Sequence, residues 1–211
     1  MKLFHLPYSH HCAKVRITLL EKGIAHELPP LPGGSTRSPE FLAQNPLGKV
    51  PFIVDGDVAL AESEVIVEYL EEAYPEPTML PSGAAKRAHS RWLSRFHDLY
   101  FGKQLSTLYF ALNDGRRDDP AMVAEVDELY RLTDVLEAAI EPAPFFFGET
   151  FGLADASFAL SVLYLKMLTE AYGRPLPPER APKLLAWFDA AGRRPSVAKV
   201  IADCQAALGG A

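Results

Sequence analysis

The sequence predicts an α/β domain followed by an all-α domain, and three observations carry that prediction. Up to residue 73, short apolar runs alternate with segments of helical period. The stretch Tyr74-Pro75-Glu76-Pro77-Thr78-Met79-Leu80-Pro81 is broken by three prolines and cannot form a regular element. Beyond it, apolar residues recur at helical spacing only. The expected division is an α/β domain over residues 1–77 and an all-helical domain over residues 84–211.

Lys2 to Leu6 reads as a short strand, and Tyr8-Ser9-His10-His11-Cys12 as the loop after it. A helix is expected from near Cys12, with Val15, Leu19 and Leu20 at helical spacing and Gly23 as its stop. Ile24 to Leu28 reads as a second strand, ended by Pro29, Pro30 and Pro32. Ser38-Pro39-Glu40 is a helix start with proline at the first position, and Asn45-Pro46 closes that helix. Pro51 to Val54 and Val58 to Leu60 are two strands joined by an Asp55-Gly56 hairpin turn. The next helix runs from about Glu62 to Ala73, with Val65, Ile66, Tyr69 and Leu70 on one face.

After the linker, Trp92, Phe96, Leu99 and Tyr100 form an i, i+4, i+7, i+8 stripe. Met122, Val126, Leu129, Thr133, Leu136 and Ile140 form another. Asp155 to Leu168 is apolar nearly all round, the mark of a buried central helix. Leu184, Leu185 and Phe188 indicate a further helix, and Pro195 to Leu208 a last one. These stripes are expected to be core.

Of 211 residues, 48% are hydrophobic and 23% charged, a globular composition. The net charge of −6 offers no basic face for nucleic acid. Residues 1–80 hold most of it, with 6 basic and 11 acidic side chains, a balance of −5. Glu62, Glu64, Glu68, Glu71, Glu72 and Glu76 supply much of that deficit and read, Glu62 excepted, as a solvated helix face. Two cysteines, Cys12 and Cys204, are too few for a disulfide-stapled scaffold. Neither a signal pattern nor an apolar run of membrane-spanning length is present. A reducing, cytoplasmic setting is the expectation, with no membrane partner.

Three short motifs bear on chemistry. Lys49-Val50-Pro51 places a proline at a strand start, which any incompletely paired strand end tolerates. Were the Val50–Pro51 bond cis, the backbone N–H and C=O of Val50 would be free to pair with an extended peptide. Glu62-Ser63 stands at a helix start, where free N–H groups and a hydroxyl suit a carboxylate and Glu62 suits an ammonium. Simple N-capping would account for that pair equally well. Ser9 faces the N-terminus of the first helix, where its hydroxyl and the helix dipole would favour a bound thiolate. Cys12 lies near the same helix end and competes with it. His10 and His11 are adjacent metal-ligand candidates, but no third ligand stands at a recognisable spacing, so no metal site is expected.

Taken together, Ser9-x-x-Cys12-x-Lys14-Val15-Arg16, Asn45-Pro46-Leu47-Gly48-Lys49-Val50-Pro51 and Leu60-Ala61-Glu62-Ser63 resemble the cytosolic glutathione transferase superfamily. The resemblance spans essentially the whole chain and is closest to the bacterial, serine-type members. It implies a thioredoxin-like N-terminal domain with a cis Pro51 and a C-terminal helical bundle. It implies glutathione as co-substrate, with Val50 on the cysteinyl backbone, Glu62 and Ser63 on the γ-glutamyl end, Lys49 toward the glycyl carboxylate, and Ser9 as the catalytic, thiol-activating residue. It also implies a homodimer. One departure is Gly152-Leu153-Ala154-Asp155, where relatives carry a hydroxyl residue in place of Gly152 to cap the central helix.

The reaction implied is attack of the glutathione thiolate on an apolar electrophile, expected beside Ser9 and the helix bearing Phe96, Tyr100 and Lys103. Two alternatives stay open at this level: a glutathione-dependent isomerase or dehalogenase on the same scaffold, and a non-catalytic interaction module. Ser9, His11 and Cys12 all remain candidates to face the sulfur.

Overall fold

The computed structural model describes residues 1–209. Its N-terminal part is a three-stranded antiparallel sheet in the order β1 (Lys2–Phe4), β2 (Phe52–Asp55), β3 (Val58–Ala61). Leu3 faces Ile53, and Ile53 faces Leu60 across the next pair. The expected strand over 24–28 shrinks to one parallel bridge between Lys2 and Glu27. Its chain enters Pro29 and Pro30 directly, and residues without an N–H cannot extend a ladder.

Helices α1 (His10–Glu21) and α3 (Ser63–Ala73) accompany this sheet, with a single short turn of helix, α2 (Pro39–Leu42), between them in sequence. Ser38 caps α2 by accepting from the Phe41 N–H at 3.1 Å. The first helix begins two residues before the expected Cys12, because the Ser9 hydroxyl accepts from the Cys12 N–H at 3.3 Å and fixes the start at His10. It is buried nearly all round, including Lys14, Arg16 and Thr18.

The second part is helical throughout: α4 (Ala84–Phe96), a π-helical turn (His97–Phe101), α5 (Gly102–Asn113), α6 (Ala121–Ala139), α7 (Leu153–Ala171), α8 (Pro182–Gly192) and α9 (Pro195–Gly209). α7 is the central helix, and α1, α4, α5, α8 and α9 all pack on it. The stripe Met122 to Ile140 is fully in the core.

The stripe on α4 is not. Trp92, Leu99 and Tyr100 are 45%, 48% and 55% exposed, and only Phe96 is buried. The face that α4 and the π turn bury is Ser90, Leu93, Ser94, His97 and Phe101. That face has the helical period too, but three of its five members are polar, so apolar periodicity selected the wrong side. The polar members are satisfied inside: Ser94 Oγ meets Ser157 Oγ at 2.9 Å, and His97 Nε2 meets Ser161 Oγ at 2.8 Å.

The glutamates of α3 are likewise not a solvated face. Lys14, fully buried, donates from Nζ to Glu64 Oε2 at 2.8 Å and to both Asp98 oxygens at 2.9 Å. Glu71 receives Lys22 Nζ at 2.8 Å and the Met79 N–H at 3.1 Å, and Glu68 pairs with Arg91. Three carboxylates of one helix thus tie the sheet domain to the linker and to α4, while Glu72 and Glu76 stay in solvent.

At the start of α7, the buried Asp155 closes the cap expected from sequence by accepting from the Gly152 N–H at 2.9 Å, the Phe146 N–H at 3.0 Å and Trp187 Nε1 at 2.6 Å. Glycine stands at 152 because a Cβ there would lie 2.7 Å from the Met79 carbonyl oxygen. The missing hydroxyl is the cost of a close crossing between linker and helix.

Candidate functional site

The N-terminus of α1, the turn before β2 and the N-terminus of α3 meet at one end of the sheet, facing α4, the π turn and α5. Two neighbouring cavities open there. One, of about 240 Å³, is lined by His11, Lys49, Val50, Pro51, Glu62, Ser63, Arg95, Asp98 and Leu99. The other, of about 370 Å³, is lined by Leu6, Tyr8, Ser9, His10, Leu105, Ser106, Tyr109, Phe110 and Tyr164. His11, Lys49 and Val50 border both.

All five binding residues expected from the sequence therefore line the first cavity, and Ser9 lines the second beside it. The Val50–Pro51 peptide bond is cis. Asn45 supports this turn by donating from Nδ2 to the Lys49 carbonyl at 2.7 Å. Glu62 is the only non-glycine residue with positive φ among the described residues, at φ 71° and ψ 113°. A left-handed glutamate costs of order 1–3 kcal/mol and is held only where the surroundings over-determine it. Its position sets the exposed Glu62 side chain and the buried Ser63 together at the mouth of α3, next to free helix N–H groups.

The three sulfur-facing candidates separate clearly. Cys12 is fully buried, and burial pushes its thiol up to about 11, which leaves it a poor nucleophile. His11 is half-exposed and turns Nδ1 toward Asp98 Oδ1 at 3.5 Å. Ser9 accepts the Cys12 N–H on one oxygen lone pair, and its hydroxyl proton stays available to donate to a ligand in the cavity. His10, expected in a loop, is instead buried in the first turn of α1, with Nε2 at 3.2 Å from Ser106 Oγ; burial holds its imidazole well below the usual histidine range.

The second cavity lies beside Ser9 and the run of helix that bears Phe96, Tyr100 and Lys103, but other residues of that run form its wall. Phe96, Tyr100 and Lys103 do not line it; Leu105, Ser106, Tyr109 and Phe110 do, with Tyr164 of α7. The π turn explains the change: the wider turn over His97–Phe101 re-phases the helix, so α5 presents a face offset from that of α4. Tyr164 is fixed there by donating its hydroxyl to the Tyr8 carbonyl at 2.6 Å. Asp98 was also missed. Burial works against its ionisation, yet hydrogen bonds from His11 and His97 and the Lys14 charge hold its carboxyl far below the usual carboxylate range.

Comparison with known proteins agrees with this architecture. Residues 3–78 match the model of the glutathione S-transferase N-terminal domain, and residues 90–190 that of the glutathione S-transferase C-terminal domain. Glutathione S-transferase 3 of Zea mays is 33% identical, over 96% of this chain and 93% of its own. Among solved structures, the Tau class glutathione S-transferase from the mango Mangifera indica superposes with a TM-score of 0.84 at 26% identity, covering 99% of this chain and 95% of its own. Maleyl pyruvate isomerase, a bacterial Zeta class member, superposes with a TM-score of 0.78 at 25% identity, covering 97% and 98%. With both domains matched and a relative covered nearly end to end, the chain belongs to the cytosolic glutathione transferase superfamily.

Proposed function

We propose that this glutathione transferase holds glutathione in the cavity of Val50, Glu62 and Ser63, and that Ser9 keeps its sulfur as a thiolate for attack on an apolar electrophile. The observation that carries the reading is the adjacency of the two cavities, with Ser9 at a helix N-terminus on one side of their shared wall and Glu62-Ser63 on the other. Glu62 receives the γ-glutamyl ammonium, and Ser63 with the α3 N–H groups receives its carboxylate. The backbone of Val50 pairs with the cysteinyl unit, and Lys49 reaches the glycyl carboxylate. Pro51 holds the turn that offers Val50.

The electrophile occupies the wall of Leu6, Tyr8, Leu105, Tyr109, Phe110 and Tyr164. The thiolate forms the new carbon–sulfur bond, and the leaving group departs with its electron pair. The thiol proton leaves to solvent as glutathione ionises; Ser9 then donates a hydrogen bond from its hydroxyl to the thiolate sulfur, and the α1 dipole adds to that stabilisation.

The likeness to maleyl pyruvate isomerase keeps an isomerase as the second reading. A keto acid is an anion, and in the second cavity Lys49 is the one lysine or arginine of the lining, which favours an apolar substrate. A homodimer in the cytoplasm completes the proposal. Its supports are the exposed apolar side chains Val65 on α3 and Trp92, Leu99 and Tyr100 on α4 and the π turn, and two unpaired buried cysteines.

The test is glutathione binding and turnover with a model aryl halide. Retention on immobilised glutathione, with loss of turnover in Ser9→Ala but not in Cys12→Ala, is expected. No retention and no thermal shift with millimolar glutathione would favour an interaction module, and the reverse mutant pattern would overturn the catalytic assignment.

A further inference from the structure

The buried side of the site carries a cluster that the transferase reaction does not use. His10 and His11, from the first turn of α1, meet His97, from the π turn after α4. Their ring centroids lie 4.2 Å (His10–His11), 5.3 Å (His10–His97) and 5.6 Å (His11–His97) apart. One nitrogen from each lies within 4.8 Å of the other two. The third imidazole comes from a residue 86 positions beyond His11, which is why no spacing rule finds it.

A second observation points to a ligand. His10 is 8% exposed, and its Nδ1 has no hydrogen-bond partner while Nε2 is held by Ser106. A buried imidazole nitrogen without a partner is desolvated and uncompensated, a loss a bound ion would remove.

We propose that His10, His11 and His97 form a binding site for a zinc-like divalent transition metal, which bridges the two domains behind the glutathione cavity.

The donor set is three imidazoles, the set that suits zinc and its neighbours and not magnesium or calcium. Zinc–nitrogen bonds of about 2.0–2.1 Å require tetrahedral donors roughly 3.3 Å apart, so nitrogens within 4.8 Å of one another need close by no more than about 1.5 Å. His10 offers Nδ1, with Ser106 on Nε2 as the outer partner that sets ring orientation. In His97, Nδ1 meets Asp98 Oδ1 at 2.8 Å and Nε2 meets Ser161 Oγ at 2.8 Å. Ligation through Nδ1 moves the ring proton to Nε2, and the Ser161 hydroxyl turns from donor to acceptor. Half-exposed His11 borders both cavities and so gives the entry path.

Charge also bears on the site. Asp98 and Glu64 set two carboxylates against the Lys14 ammonium, a group of net −1 in contact with His11 and His97 through Asp98. Released from His97, Asp98 Oδ1 stands as a further oxygen donor or as the acceptor for a metal-bound water.

Metal-free protein prepared with a chelator should bind one zinc per chain in a calorimetric titration, and magnesium should not compete. Cobalt(II) should give the visible bands of a tetrahedral nitrogen site. Zinc should raise Tm in the parent protein. His11→Gln and His10→Gln should each weaken zinc binding by at least about tenfold, as loss of a ligand costs no less than loss of an outer partner. His11 is half-exposed, so that variant tests the site even if substitution at buried His10 unsettles the fold. His26→Gln, remote from the cluster, should bind zinc as the parent does. Absence of saturable binding at one zinc per chain, or binding unchanged in both His10→Gln and His11→Gln, overturns the proposal.

Discussion

Replacing Ser9 separates two jobs that one side chain performs. Its oxygen caps α1 through the Cys12 N–H at 3.3 Å, and its proton is assigned to the glutathione sulfur. A hydrogen bond to a charged group contributes about 1.5–3 kcal/mol, which lowers a thiol pKa of about 8.5 by roughly 1–2 units. At pH 7 the thiolate fraction then rises from about 3% to between roughly 30% and 80%. Ser9→Ala should therefore lower kcat/KM about 10–30-fold at pH 7, with the gap closing above about pH 9, where both thiols are ionised. Ser9→Ala also removes the cap, at about 1 kcal/mol of stability, whereas Ser9→Gly costs only a few tenths. The assay is the pH profile of kcat/KM for both variants beside urea unfolding. The reasoning requires the two variants to share one shifted profile while differing in stability. A profile unshifted from the parent, or a rate loss that tracks stability, refutes it.

Four other outcomes are expected. Lys14→Met should cost about 3–5 kcal/mol in urea unfolding, because it leaves the Glu64 and Asp98 carboxylates facing each other without their ammonium. Glu62→Gly should stabilise the fold by about 1 kcal/mol through release of its positive φ, while raising KM for glutathione at least about tenfold. Gly152→Ala should lower Tm, since the new Cβ meets the Met79 carbonyl at 2.7 Å, a backbone atom with little freedom to move. Burial and then the Arg16 charge hold the His5 imidazole down to about 4 from 6.5. A pKa depressed in the folded state gives stability that is intact above pH 6.5 and is lost as pH falls toward 4. His5 is half-exposed, which discounts the loss to about 1–2 kcal/mol, and His5→Gln should flatten the urea midpoint over that range.

The readable parts of the fold and site are those where a local pattern has one physical solution. Asp55-Gly56 between apolar runs can only be a hairpin, and the stripe from Met122 to Ile140 meets its partners on one face. Val50-Pro51 and Glu62-Ser63 were each ambiguous alone, and their joint order with Ser9 brought them to one end of the sheet. The parts that sequence reasoning missed depend on distant partners. The serines and histidine of the buried α4 face look polar until Ser157 and Ser161 of α7 are set against them. Glu64 and Glu71 look solvated until Lys14 and Lys22 reach them. The π turn that precedes Leu105 and Tyr109 has no apolar signature, and His97, which meets His10 and His11, is its first residue.

The central claim is that Ser9, not His11 or Cys12, faces the glutathione sulfur. A crystal structure of the complex with reduced glutathione decides it. The account predicts the sulfur within hydrogen-bonding distance of Ser9 Oγ, with the γ-glutamyl end on Glu62 and Ser63 and the cysteinyl backbone on Val50. A sulfur turned to His11, or glutathione seated away from Glu62 and Ser63, would contradict it.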